Sequence, residues 1–190
     1  MTDTTAQRRA RDQADRRSRI IASARTLAES AGWEAVTTRR LADAIEYSQP
    51  VLYAHFPAGK PEIVSAVALQ GFTEMAAAMV PARQSTSVGR RIETLAHAYL
   101  DFARANPAVY EAMFALPIGA SFGTDNSELE LRNGFERFTT ALGPDQDDME
   151  TAAEVLWSSL HGLATLERAG RLRPAARADR IAELVKRWSR

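Results

Sequence analysis

Apolar side chains recur along this chain at intervals of three and four residues. Ile20, Ile21, Ala24, Leu27, Ala28 and Ala31 form the first such stripe, and Gly32 ends it where a left-handed cap is favoured. Thr37 then stands at an N-cap position ahead of Leu41, Ala42 and Ile45, and Ser48 stands at another ahead of Val51, Leu52 and Phe56. Three helices are thereby predicted between Arg16 and Phe56.

After "FPAGKPE" the stripes lengthen. Ile63, Val64, Val67, Gly71, Met75 and Met79 predict a helix ending before Pro81, and Ile92, Leu95, Ala96, Tyr99 and Phe102 predict another ending before Asn106. Pro107 can open a short helix through Met113, because proline is tolerated in a first turn. "LPIGASFGTDNSE", 116–128, is loop in composition and is expected to be the most mobile internal segment. Helical patterns follow over 127–141, 146–168 and 178–189, with Gly170 and Pro174 between the last two. No stretch sustains the apolar–polar alternation of a strand, so the pattern predicts an all-α chain of about nine helices.

Residues 1–15 are polar and aperiodic, which predicts a flexible basic arm ahead of a three-helix domain over 16–60 and a helical bundle over 61–190. A chain of 190 residues is long enough to bury a core without staples. With no cysteine, it can form neither disulfides nor thiolate metal sites. No unbroken run approaches the roughly 20 apolar residues of a membrane span, and the first twenty residues are too polar for a signal peptide, so a soluble cytoplasmic protein with no membrane partner is expected.

The net charge of zero hides a slight asymmetry: residues 1–64 carry ten Lys/Arg against eight Asp/Glu, and 65–190 carry fourteen against sixteen. That excess is too small to argue for a nucleic-acid partner, so the placement of individual residues has to. Two short helices separated by about two residues, with small Ala42 at their crossing, describe a helix-turn-helix, whose second helix enters a major groove. Val51, Leu52 and Phe56 face inward, leaving Gln49, Tyr53 and His55 outward, with Pro50 in the same first turn. Gln can bond base edges, Tyr and His can donate to phosphate oxygens, and Lys60 places a point charge at the start of the next helix.

The order "T-x-x-x-L-A-x-A…S-x-x-x-L-Y-x-H-F…K", carried by Thr37, Leu41, Ala42, Ala44, Ser48, Leu52, Tyr53, His55, Phe56 and Lys60, resembles the tetracycline-repressor (TetR) family of bacterial transcription regulators. The resemblance implies an N-terminal DNA-binding domain and a C-terminal domain that binds a small molecule and dimerises. It also implies phosphate contacts from Tyr53, His55 and Lys60 and from the helix start at Thr38 and Arg39. This chain departs from the family pattern at three places: Glu46 replaces the usual turn glycine, Pro50 replaces an early glycine of the second helix, and "FPAGK" is one residue longer. A non-glycine residue at positive φ costs about 1–2 kcal/mol. Trp157, His161 and Gly162 give a W-x-x-x-H-G spacing similar to one C-terminal domain type of the family.

Met75, Met79, Phe102, Tyr110, Met113 and Phe114 suit an adaptable apolar cavity for a small effector, and equally suit plain core packing. His161 follows Trp157 by one helical turn and is either a pocket residue or a satisfied core or interface histidine. No histidine pair has the four-residue spacing of a helical metal site, so neither a metal nor a cofactor is expected. Arg8, Arg9, Arg11, Arg16, Arg17 and Arg19 form either a solvated tail or a reach along the duplex. Leu156, Leu160, Leu163 and Leu166, with Ile181, Leu184, Val185 and Trp188, predict a homodimer through a four-helix bundle.

The expected function is a ligand-released repressor of a double-stranded DNA operator. A helical carrier or enzyme is the rival, though no catalytic constellation is visible. An effector-independent DNA-binding protein is a third reading.

Overall fold

The computed structural model describes residues 5–85, 87–117 and 129–188. Among these the chain is all-α: α1 (Thr5–Ala31), α2 (Thr38–Ile45), α3 (Gln49–His55), α4 (Lys60–Ala78), α5 (Val88–Ala105), α6 (Pro107–Phe114), α7 (Leu129–Leu142), α8 (Met149–Arg168) and α9 (Arg177–Trp188), with short 3-10 turns at 33–35, 80–84 and 174–176. The loop expected at 116–128 lies outside the described residues from 118 onward, as do the first two residues of the helix expected at 127.

Helix α1 begins at Thr5, eleven residues before Arg16, where the sequence predicts its start. Residues 5–15 have no buried face, but Ala, Arg and Gln are strong helix formers and simply extend the helix nucleated by the packed half. The stretch expected to be a flexible arm is therefore helical from Thr5.

The chain divides into two compact units, Met1–Gln70 with Ala108–Gly119, and Gly71–Pro107 with Ala120–Arg190. In the first unit α1 packs against α2 and α2 against α3, and Ile20, Ala24 and Ala28 of α1, Leu41, Ala42 and Ile45 of α2, Leu52 and Phe56 at α3, and Ile63 and Val67 of α4 are buried. Val109, Tyr110 and Met113 of α6 are buried in the same unit. Helix α6 is held from outside: the Glu29 carboxylate accepts from the Ala108 and Val109 backbone N–H groups at 3.0 and 3.1 Å, and the Trp33 indole donates to the Ala108 carbonyl at 2.8 Å.

In the second unit α5 is central, packing against α7, α8 and α9. Tyr99 meets Phe138 edge-on at 6.0 Å and accepts a 3.3 Å hydrogen bond from the Trp157 indole, while Phe138 and Trp157 lie 6.4 Å apart. Arg177 and Arg180 bind Glu167 of α8, and Arg177 also binds Asp101 of α5 at 2.8 Å, tying the start of α9 to both helices. Leu156, Leu160 and Ile181, expected on a dimer face, are instead fully buried within the subunit. The apolar stripe of each helix is wide enough to serve the core first, and only its margin stays outside: Val155 and Leu166 are exposed, Leu163, Leu184, Val185 and Trp188 half-buried.

The segment Lys60–Gln84 is long and apolar enough to cross a membrane by length and composition alone. It is not an unbroken apolar run, because Glu62, Glu74 and Arg83 interrupt it. Half of its most apolar window is buried within the protein, as in a core helix.

Candidate nucleic-acid interface

The Thr37 hydroxyl caps α2 by accepting from the Arg40 N–H at 3.2 Å. Helix α2 then ends in a Schellman-type cap: Tyr47 N–H donates to the Ala42 carbonyl at 3.0 Å, and Glu46 N–H to that of Asp43 at 3.4 Å. Glu46 takes the left-handed position, φ 56° and ψ 37°, and is the one non-glycine residue with positive φ among those described. The turn thus keeps the geometry that a glycine would favour and carries its strain in Glu46.

Ser48 occupies the N-cap position of α3, but its side chain makes no capping bond, contrary to expectation. Pro50 has no N–H to give, and the Val51 N–H already donates to the Ser48 carbonyl at 3.0 Å. Pro50 itself lies in the first turn of α3, where its fixed φ is compatible with the helix. The extra residue in "FPAGK" is absorbed at Gly59, φ 66°, whose carbonyl accepts the Ile63 N–H at 3.2 Å and so starts α4.

Leu52 and Phe56 anchor α3 in the core, which turns Gln49, Pro50, Tyr53 and Ala54 outward. Tyr53 is 47 % exposed. Arg39 is exposed and Thr38 and His55 are half-buried, so six of the seven residues expected at a duplex offer surface on one unit. Lys60 differs. It is half-buried, and its ammonium donates to the Trp33 carbonyl at 2.6 Å within the unit.

Two residues not singled out at the sequence level for a bracing role hold α1 against this surface. Arg17 donates to the His55 carbonyl at 2.7 Å, stacks on the Phe56 ring at 4.1 Å and lies 3.6 Å from Glu62. Arg19 donates to the Tyr47 hydroxyl at 2.9 Å with its guanidinium over the same ring. Arg17 is signalled in hindsight by its spacing, three and seven residues before Ile20 and Ala24 on the buried stripe. Glu29 and Trp33 carry no such signal, because their partners lie about 80 residues away.

Of the residues expected to bind an effector, Met75, Met79, Phe102, Trp157 and His161 belong to the second unit, and Tyr110, Met113 and Phe114 to the first. Met75, Met79, Phe102, Tyr110 and Met113 are buried, and the others half-buried. Tyr110 and Phe114 stack at 4.7 Å. Desolvation of half-buried His161 holds its pKa below the usual 6.5.

Known proteins place this geometry. Residues 20–67 fit the family described as bacterial regulatory proteins, tetR family, and residues 92–187 fit the tetracyclin repressor-like C-terminal domain. The uncharacterized HTH-type transcriptional regulator Rv0681 of Mycobacterium tuberculosis is 26 % identical over 158 residues, covering 81 % of this chain and 71 % of its own length. Among solved structures, a protein of unknown function from Rhodococcus sp. RHA1 superposes with a TM-score of 0.73 at 21 % identity, covering 92 % of this chain and 95 % of that one. The TetR family regulator PfmR from Thermus thermophilus superposes with a TM-score of 0.61 at 21 % identity and the same two coverages. The helix-turn-helix, the helical second unit and these two family matches, one spanning half the chain, identify it as a member of the TetR family of DNA-binding transcriptional regulators.

Proposed function

We propose that the protein is a non-catalytic, ligand-released repressor that binds its operator as a homodimer in the cytoplasm. The observation that carries this reading is the exposed face of α3, presented by a capped helix-turn-helix whose core residues leave Gln49, Pro50 and Tyr53 outward. Gln49 reads a base edge in the major groove; Thr38, Arg39, Tyr53 and His55 position the unit on phosphates. The dimer forms through the margins of α8 and α9, where Val155, Leu163, Leu166, Leu184, Val185 and Trp188 remain at least partly outside the subunit core.

A small apolar or aromatic effector enters the second domain, which is of the W-x-x-x-H-G type, near Met75, Phe102, Trp157 and His161. It displaces side chains of that domain's interior, where Met75 and Phe102 are buried and Trp157 and His161 half-buried. Release follows only if the effector binds the arrangement that misaligns the recognition helices more tightly than the arrangement that fits DNA. Within the first unit, Glu29 and Trp33 join α6 to the C-terminal end of α1, and Lys60 joins Trp33 to the start of α4.

Mobility shift with DNA from upstream of the chain's own gene tests the reading. Gln49→Ala is expected to cost about 1–3 kcal/mol on that DNA and much less on random duplex. Equal losses on both would remove Gln49 from base readout, and failure of the unaltered protein to shift either DNA would remove the regulator reading.

A further inference from the structure

The first half of α1 buries no side chain. Every residue from Thr5 to Arg16 is exposed, and the only apolar side chains among them are Ala6, Ala10 and Ala14, too little surface for an apolar partner. Between residues 5 and 16 four arginines face two aspartates, Asp12 and Asp15, a net charge of +2 in a chain whose total is zero. The segment is also directed by contact: Arg17 bonds to the end of α3 and Arg19 to Tyr47 just before α3, so the exposed half of the helix is continued from a base braced against the recognition helix. Arg9 and Arg16 line an open hollow with Ala54 and His55 at the end of α3, Asp12 and Gln13 completing its wall.

We infer that residues 5–16 form a second duplex-contact site, a rigid helical arm whose Arg8, Arg9, Arg11 and Arg16 engage sugar-phosphate backbone beside the groove occupied by α3. The inference rests on the DNA-binding reading of α3 and extends its footprint. Twelve helical residues span about 18 Å, or roughly five base pairs of flanking duplex. The charge complementarity favours a polyanion, and the continuity of the hollow with His55 selects the same duplex over a separate acidic partner. Interactions of this kind carry no base code, so the arm adds affinity and salt dependence without adding specificity. Asp12 and Asp15 keep the arm from being uniformly basic, which limits the number of phosphates it can neutralise to about two to four.

The test uses the full chain and a labelled 30-base-pair random-sequence duplex, with affinity followed by fluorescence anisotropy as KCl is varied. Arg8→Gln, Arg9→Gln, Arg11→Gln and Arg16→Gln are combined, since glutamine keeps helix propensity while removing charge. The slope of log affinity against log salt is expected to fall by about 0.9 for each phosphate no longer neutralised, about 2 to 4 in all, with at least a tenfold weakening at 100 mM KCl. The matching fourfold Arg→Lys variant is expected to keep the slope, and circular dichroism to show the helix retained. An unchanged slope in the glutamine variant, with the unaltered protein binding normally, would overturn the arm alone and leave the α3 reading standing. Absence of any binding by the unaltered protein, on this duplex and on its own upstream DNA, would overturn both.

Discussion

Replacing Glu29 by Gln isolates the clasp between α1 and α6. The carboxylate accepts two backbone N–H groups at the first turn of α6, at 3.0 and 3.1 Å, and places its negative charge at the helix N-terminus. A glutamine oxygen can keep one of these bonds, but its amide N–H₂ then faces the other N–H, donor against donor. One charge-assisted hydrogen bond, worth about 1.5–3 kcal/mol, is lost, together with about 0.3–1 kcal/mol of interaction with the helix end. Because Glu29 is only half-buried, the lower part of this range applies, and we expect a loss of about 2 kcal/mol. For a chain of this size that corresponds to a fall in Tm of about 4–8 °C. Hydrogen exchange localises the effect: the Ala108 and Val109 amides should exchange about 30-fold faster, while amides in α5 and α8 keep their protection. An unchanged Tm with unchanged protection at Ala108 and Val109 would refute the clasp as a stabilising contact.

Other positions give sharper tests of single elements. Glu46→Gly removes about 1–2 kcal/mol of left-handed strain at φ 56° and adds up to about 1 kcal/mol of unfolded-chain entropy, so denaturant unfolding should show a net gain of about 0.5–1 kcal/mol; a loss would mean that the Glu46 side chain contributes more than its strain costs. Burial lowers the His161 pKa below 6.5, so the unfolded chain takes up a proton before the folded one does. Stability should therefore be complete above about pH 6.5 and decline as pH falls through that value, and His161→Gln should flatten this slope in thermal melts at pH 5 to 8. Leu166→Glu, at an exposed margin of α8, should shift light-scattering mass from dimer to monomer at micromolar concentration while leaving the subunit fold intact.

The fold was legible wherever local chemistry determined it. Thr37 and Gly32 marked real helix ends, and Pro107 opened α6, because capping and proline geometry act over a few residues. The outward face of α3 was legible for the same reason, since Leu52 and Phe56 dictate by spacing alone which of its residues face out. Ser48 misled because the sequence shows a capping residue and Pro50 without an N–H, but not that the Val51 N–H goes to the Ser48 carbonyl. Residues 5–15 misled because absence of an apolar stripe says that a helix is unpacked, not that it is absent. The partners of Glu29, Trp33 and Lys60 were illegible because a long-range hydrogen bond leaves no periodic trace in the chain. Leu156, Leu160 and Ile181 look alike to their stripe neighbours in sequence, and only the packing of α5 against α8 and α9 separates core from margin.

The central claim is that two copies of α3 read one operator in concert. Measuring affinity for the operator found upstream of the gene, with and without five extra base pairs between its half-sites, tests this most directly. Half a helical turn rotates one half-site to the opposite side of the duplex, so a rigid dimer can engage only one of the two. The account predicts that binding falls to the level of random duplex and returns when a full turn is inserted within the reach of the dimer. Equal affinity for the unaltered and half-turn operators would contradict it.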